Sequence, residues 1–403
     1  MKAMAHAAFN HVTLARPLRV TMLGIRGFPN VQGGAENHAQ HLAAELVRLG
    51  CDVEVIVRSP YVANDSKRNF DGIRLVRVWT LRRKGIEAFL HTFLGLLRAI
   101  LTRPDILHIH SVGPALFAPL ARTFGLRVVV THHLANYEAK KWGAFARSIL
   151  RLGERAGMLF ANGRIAVSAV LARRMEREYR VPVTVIPNGI VHPPRLQSAT
   201  VLRDFLLKPY RYALMVARID EQKRQLDLMT AFAQLSPSDW KLAIVGDSDY
   251  ASEYARTVAR TAADIPDVVL LGYQPGGALA ELYTYAGVFV LPSSHEGQPI
   301  AALEAISYGC PTILSDIPAH REIGTSRTQF VPVGNVAELA QCLAATFATT
   351  TDRNFESAEH ARFMENHNWR KIADRTLDVY LSALSQQSDH AYDVVRRMAE
   401  RQQ

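Results

Sequence analysis

The opening pattern of a parallel α/β sheet occurs twice in this chain, and that repetition restricts the fold more than any other feature. Residues 18–23 (LRVTML) form a short β-rich run ending on Gly24. A polar, glycine-containing loop follows, then a helical pattern over 41–49 and a second strand over 53–57. Strand, loop, helix and strand in this order make one unit of a parallel sheet. Strands at 106–109 and 128–131 continue it. The pattern restarts with a strand at 212–216, a helix at 225–235 and strands at 241–245, 268–271 and 288–291. Two doubly wound, Rossmann-like α/β domains in series are expected, and 403 residues accommodate both. The Pro-, Gly- and Asn-dense segment 186–194 (IPNGIVHPP) is the expected hinge, dividing residues 17–188 from 189–368. A helix over 369–386 is expected to pack back across the first domain, with a frayed polar tail from Ser385.

With 48% hydrophobic and 21% charged residues, the chain has the composition of an ordinary globular protein. A net charge of +10 favours anionic partners, leaving phosphates, nucleic acid and an acidic membrane open. Cys51, Cys310 and Cys342 have neither disulfide nor metal-ligand spacing, which fits a reducing compartment. The opening residues lack the apolar run of a signal peptide, and no uncharged run approaches the ~18–20 residues that span a bilayer. A cytoplasmic protein is expected, on or off a membrane surface. Residues 81–103 bear on that choice. Ile86, Phe89, Leu90, Phe93, Leu97 and Ile100 have helical spacing between basic ends. Such a helix either faces the core of the first domain or lies on a membrane surface.

Residues 291–311 (LPSSHEGQPIAALEAISYGCP) carry the densest chemistry. An apolar strand ends, a small-residue loop bears Glu296, and Pro299 stands where a helix starts, a position that suits its missing N–H. The free N–H groups of that first turn make an anion site. Glu304, eight residues after Glu296 and about two turns into the helix, can accept hydrogen bonds from a ribose diol while the helix start holds a diphosphate. The plainer reading is two solvated glutamates flanking an ordinary helix.

The Glu-x7-Glu element, with SYGCP and SDIPAHREI after it, resembles the signature of the retaining family-4 glycosyltransferases, which have the GT-B fold. The resemblance runs from Leu18 to about Tyr380 and implies two Rossmann-like domains facing across a cleft. It also implies a donor site at Gly297, Gln298, Pro299, Ile300 and Glu304, with Glu296 facing the sugar. The first glycine-rich loop, from Gly24 to Glu36, is not a dinucleotide fingerprint. It is similar to the family's loop ending in Gly-Gly-x-Glu, in which Gly33 and Gly34 let the backbone approach donor phosphates and acceptor. Glu36 there is alternatively a favourable charge in a first helical turn. Arg218 and Lys223 resemble the family's pair on the pyrophosphate, with Arg224 a lesser helper. Two fixed cations stabilise the charge growing on a departing nucleoside diphosphate without a metal. His132, ending the strand VVVTH, matches the position of the family's active-site histidine, and His133 stands next to it.

Two metal readings compete with this. His108 and His110 share one face of a strand, but no nearby Asp, Glu or Cys has ligand-like spacing, so packed roles are expected. Asp247-Ser-Asp249 imitates the metal-binding Asp-x-Asp of the single-domain GT-A fold, yet it lies within a second sheet. The resemblance therefore implies retaining, metal-independent transfer of a sugar from a UDP- or GDP-linked donor, with no other cofactor. The acceptor that the resemblance implies is a hydroxyl of a glycan or lipid-linked glycan in bacterial surface or exported polysaccharide synthesis. Nucleic acid is not an expected partner, whereas an anionic membrane surface is. A nucleotide-sugar epimerase of the same fold and a silent sugar-nucleotide-binding protein are the alternatives.

Overall fold

The computed structural model describes residues 16–62, 69–81, 86–134, 137, 143–191, 200–235, 239–248, 252–349 and 357–400, with backbone alone from 386. The first sheet contains β1 (Arg19–Leu23), β2 (Asp52–Arg58), β3 (Asn69–Phe70), β4 (Ile73–Val78), β5 (Ile106–His110), β6 (Val128–His132), β7 (Gly163–Ala166) and β8 (Thr184–Val185). Their order is β3-β4-β2-β1-β5-β6-β7-β8, parallel except where β3 meets β4. The second sheet contains β9 (Tyr212–Val216), β10 (Lys241–Val245), β11 (Val268–Gly272), β12 (Val288–Leu291), β13 (Thr312–Ser315) and β14 (Thr328–Val331). It is all parallel, in the order β11-β10-β9-β12-β13-β14. Both sheets start at the centre and grow first one way, then the other. This leaves a switch point between β1 and β5 and another between β9 and β12, where an open α/β sheet offers a crevice at its strands' carboxyl ends.

Helices α1 (Gly34–Arg48), α2 (Ile86–Thr102), α3 (Ala118–Thr123), α4 (Ala144–Phe160) and α5 (Ala169–Tyr179) cover the first sheet. The second domain holds α6 (Thr200–Asp204), α7 (Gln225–Leu235), α8 (Glu253–Asp264), α9 (Gly276–Tyr285), α10 (Ile300–Ser307), α11 (Pro318–Ile323), α12 (Val336–Ala348) and α13 (Ala358–Asn366). The final helix, α14 (Trp369–Glu400), returns to the first domain. There Trp369, Ile372, Ala373 and Tyr380 join the core that α1 builds on one sheet face. Helices α2 to α5 build the core on the other. The central strands are buried along nearly their whole length, which explains their unbroken apolar runs.

Several boundaries differ from the expectations. Helix α1 starts at Gly34 rather than near 41, because Glu36, Ala39, Leu42, Ala43 and Leu46 already keep one buried face from the first turn. Strands β3, β4, β7, β8, β13 and β14 are additional, and α14 continues through the supposed frayed tail to Glu400. That tail is polar but holds neither Pro nor Gly to stop a helix. Arg82 and Arg83, at the basic start of the 81–103 stretch, lie outside the described residues.

The orientation of α2 corrects the core-facing reading of that stretch. Ile86, Phe89, Phe93 and Leu97 are exposed, whereas Thr92, Gly95, Leu96 and Ala99 face the sheet. A Cβ on Gly95 would stand 2.5 Å from Leu23 Cδ1. Helix and sheet approach so closely that mostly small residues fit between them, and the aromatic side chains point outward. Among the described residues, no helix is long and apolar enough to cross a membrane.

Candidate active site

The loops leaving β1, β9 and β12 line one cleft with a cavity volume of about 840 Å³. From the first domain come Arg26, Gly33, Gly34, Glu36 and His133; from the second, Arg218, Lys223, Glu296, Gly297, Gln298, Pro299, Ile300 and Glu304. Residues far apart in the chain meet because each follows the carboxyl end of a central strand.

On the first-domain side, Gly33 caps α1 and Glu36 sits in its first turn. Glu36 accepts hydrogen bonds from Arg26 Nε at 3.0 Å and the Arg26 backbone N–H at 3.2 Å. Burial pushes its carboxyl up, but the Arg26 charge and these bonds prevail and hold it below the ordinary value. A Cβ on Gly33 would lie 2.0 Å from Glu36 Oε2, so glycine is required for this fold of the loop. Gly34 is open toward the other domain, the nearest atom to its notional Cβ being Ile300 Cδ1 at 3.9 Å. The start of α1 thus presents bare backbone to the cleft.

On the opposite side, Pro299 is the N-cap of α10, so the helix begins at Ile300 and Glu304 stands little more than one turn along it. Glu304 accepts a hydrogen bond from Tyr283 Oη at 3.0 Å. Burial pushes its carboxyl up to about 7, with Tyr283 opposing. Glu296 behaves oppositely. It is buried too, yet its ion pair with Lys223 and the nearby His320 hold its carboxyl below the ordinary value. Two carboxyls eight residues apart are therefore pushed in opposite directions, as their surroundings dictate. Lys223 ends a short 3₁₀ turn capped by Asp220, whose carboxylate accepts from the Gln222 N–H. Arg224 turns away to pair with Asp227.

The structure places His132 elsewhere. Its side chain is wholly buried behind the sheet, where Nε2 lies 2.7 Å from Glu154 Oε2 on α4. The Tyr137 and Tyr179 hydroxyls donate to Glu154 at 2.9 and 2.8 Å. Side chains alternate across a strand, so the neighbour His133 points into the cleft instead. The expectation that His132 faces the sugar is corrected by one position. Gln298 also differs from its expected role. Its carbonyl oxygens accept from both the backbone N–H and the side-chain amide of Asn188, at 2.6 and 2.9 Å, tying the loop before α10 to the segment after β8.

His108 has both nitrogens engaged, with Tyr380 Oη and Thr131 Oγ1 each 2.7 Å away. His110 instead meets His133, Nδ1 to Nε2, at 3.1 Å. His38, His110 and His133 bring ring nitrogens within 4.8 Å of one another, the one such group able to hold a metal ion among the described residues. Burial holds all three imidazoles below their ordinary value, His38 at about 4. Asp247 follows β10, where its backbone N–H donates to Gln32 Oε1 of the first domain at 3.0 Å; Asp249 lies outside the described residues.

Reading the residues alone missed Arg26, Asn188, Tyr283 and His38. Arg26 lies inside the glycine-rich loop and Asn188 inside the hinge motif, so both carried a positional signal. Tyr283 and His38 sit on helices whose rotation only the packed structure defines.

Comparison with known proteins agrees with this geometry. Residues 32–192 match the family described as Glycosyltransferase Family 4, and residues 202–354 match Glycosyl transferases group 1. The alpha-maltose-1-phosphate synthase of Mycobacterium tuberculosis is 28% identical over 397 residues, covering 90% of this chain and 99% of that protein. The GDP-mannose:cellobiosyl-diphosphopolyprenol alpha-mannosyltransferase of Xanthomonas oryzae pv. oryzae is 31% identical over 205 residues, covering 50% of this chain and 53% of the relative. Among solved structures, the sucrose-phosphate synthase of Thermosynechococcus elongatus superposes with a TM-score of 0.78 at 19% identity, covering 92% of this chain and all of that one. Two Rossmann-like sheets, a shared cleft and these matches lead to one conclusion: this chain belongs to the family-4 glycosyltransferases of GT-B fold, enzymes that use sugar-nucleotide donors.

Proposed function

We propose that this enzyme transfers a sugar, with retention of anomeric configuration and without a metal ion, from a nucleoside-diphosphate sugar to a hydroxyl of a lipid-linked glycan. The observation that carries this is the convergence of Arg218, Lys223, Glu296 and Glu304 with the bare starts of α1 and α10 on one cleft. The starts of these two helices supply N–H groups suited to a diphosphate. Arg218 and Lys223 stabilise the charge that grows on it as the sugar–phosphate bond breaks. Glu304 accepts from the ribose, and Glu296 is held ionised to face the sugar. His133, which the strand turns into the cleft, takes the role first expected of His132. The departing diphosphate oxygen takes the acceptor's proton while the hydroxyl attacks the same face, which is why no dedicated base is needed.

The lipid-linked acceptor is supported by the Xanthomonas relative, whose name specifies a diphosphopolyprenol substrate. It implies work at the inner face of a membrane. The test is a panel of UDP- and GDP-sugars with a polyprenyl-diphosphate glycan, the product's anomeric proton being followed by NMR from the first turnovers. An α-linked product from an α-linked donor is expected. A β-linked product overturns retention, and conversion of the donor's sugar without an acceptor supports an epimerase.

A further inference from the structure

We infer that His38, His110 and His133 form a binding site for a divalent ion of the zinc class, set in the first-domain wall of the cleft. The three residues come from three elements. His38 lies in the second turn of α1, His110 ends β5, and His133 follows directly on β6. Strands β5 and β6 pair with His110 opposite Thr131, and alternation puts His133 on the same face as Thr131. Helix α1 lies over that face, which brings the His38 ring to 5.8 Å from His110 and 4.9 Å from His133. Ring nitrogens of all three lie within 4.8 Å of one another. His110 Nδ1 and His133 Nε2 are 3.1 Å apart. Two imidazoles on one tetrahedral zinc, each bound at about 2.0–2.1 Å, hold their nitrogens about 3.3 Å apart.

The surroundings prepare these rings as ligands. Asn188 donates through Nδ2 to the Gln298 carbonyl at 2.9 Å, which leaves its Oδ1 facing His38 Nδ1, also at 2.9 Å. That oxygen can only accept, so Nδ1 of His38 carries the proton and Nε2 keeps the lone pair. A hydrogen bond of this kind on the far nitrogen is what orients a metal-ligating histidine. His110 is wholly buried, and its Nε2 has no hydrogen-bond partner. Its neighbour His108 has both nitrogens satisfied, by Tyr380 and Thr131, as a structural histidine requires. The His110 ring has only the contact with His133 to hold it.

The donor set identifies the ion. It consists of imidazoles alone, with no carboxylate or thiolate in the group. Imidazole suits Zn²⁺, Cu²⁺ and Ni²⁺, whereas Mg²⁺, Ca²⁺ and Mn²⁺ prefer oxygen ligands. His38 and His110 are buried, but His133 lines the cleft, so a bound ion keeps an open position on that side. Coordination occupies the lone pair of His133 Nε2 and draws the ring toward His38 and His110, away from the sugar. The ion therefore inhibits transfer and takes no part in it. That consequence rests on the proposed role of His133, whereas binding is measured without donor or acceptor, so the two can fail separately.

The experiment titrates the chelator-stripped full chain with Co²⁺, followed by visible absorption, and with Zn²⁺ in calorimetry. One ion per chain is expected, with the intense visible bands of four-coordinate Co²⁺, displaced by Zn²⁺ and not by Mg²⁺. His38→Gln and His110→Gln should each weaken Zn²⁺ at least roughly a hundredfold, and Asn188→Ala, through the ring it orients, about 10–100-fold. Circular dichroism checks that each variant is folded, and the Co²⁺ spectrum of the wild type stands without them. Zn²⁺ should lower wild-type turnover in step with occupancy, and EDTA should restore it. Only the pale spectrum of six-coordinate Co²⁺, or equal Zn²⁺ affinity in wild type and both folded histidine variants, overturns the site. Full occupancy with undiminished turnover overturns the inhibition, and with it the sugar-facing role of His133.

Discussion

Glu304 illustrates how much one half-buried carboxyl controls. Its folded value of about 7 lies above the ordinary 4.5, so folding favours the protonated form. The burden of burying it is absent below about pH 4.5, grows as pH rises toward 7 and is complete above. The shift corresponds to about 3 kcal/mol of stability lost at high pH. Glu304→Gln removes the titration, so its stability relative to wild type should increase by about 2 kcal/mol between pH 5 and pH 8 in urea unfolding. A constant difference across that range would refute the raised carboxyl. The same group makes a binding prediction. Ribose hydroxyls donate to a carboxylate, so affinity for a free nucleoside should rise from pH 6 to pH 8 in the wild type and stay flat in Glu304→Gln. Glu304→Ala should weaken nucleoside diphosphate by roughly 1–3 kcal/mol. Unchanged affinity in calorimetry would remove Glu304 from the ribose.

At the scale of elements, β6 divides structure from chemistry between two adjacent histidines. His132 anchors α4 to the back of the sheet through Glu154, and His133 faces the cleft. His132→Ala strands a buried carboxylate, so a loss of about 3 kcal/mol is expected, with kcat per folded enzyme retained. His133→Ala should show the converse: near-native melting with kcat/KM lowered by roughly tenfold or more. If His132→Ala abolishes turnover in fully folded protein, the assignment by strand parity is wrong. The doubly wound units could be read directly, because buried parallel strands are short apolar runs ending on glycine or polar loops. Glu296 drew notice because it lies just past such a run and Glu304 because it sits on the helix that follows, whereas Arg218 and Lys223 were singled out by the family resemblance; all four line the cleft. Parity was not legible for His132 and His133, since a strand's last residue fixes which one faces out and single-residue boundaries leave no mark in composition. Short strands such as β7, which begins on a glycine, lacked the apolar length that identifies the others. The outward face of α2 was hidden as well, because large apolar residues signal a core until Gly95 shows which side touches the sheet.

Across the whole molecule, neither domain holds the site alone. Gln32 reaches from the first domain to the Asp247 backbone, Asn188 after β8 donates to Gln298, and Gly297 lies against the His133 carbonyl so closely that a Cβ would stand 1.7 Å from it. These contacts bring the Arg26–Glu36 and Lys223–Glu296 ion pairs to one cleft, so both acids there are charge-compensated. The central claim is that Lys223 stabilises charge developing during transfer, without help from a metal ion. Its most direct test is the steady-state kinetics of wild type and Lys223→Ala with saturating acceptor and excess chelator. Wild-type activity should survive the chelator. The variant's kcat should fall about 10²-fold or more while its donor KM changes only severalfold. Activity lost to EDTA and restored by manganese, or a Lys223→Ala defect confined to donor KM, would contradict it.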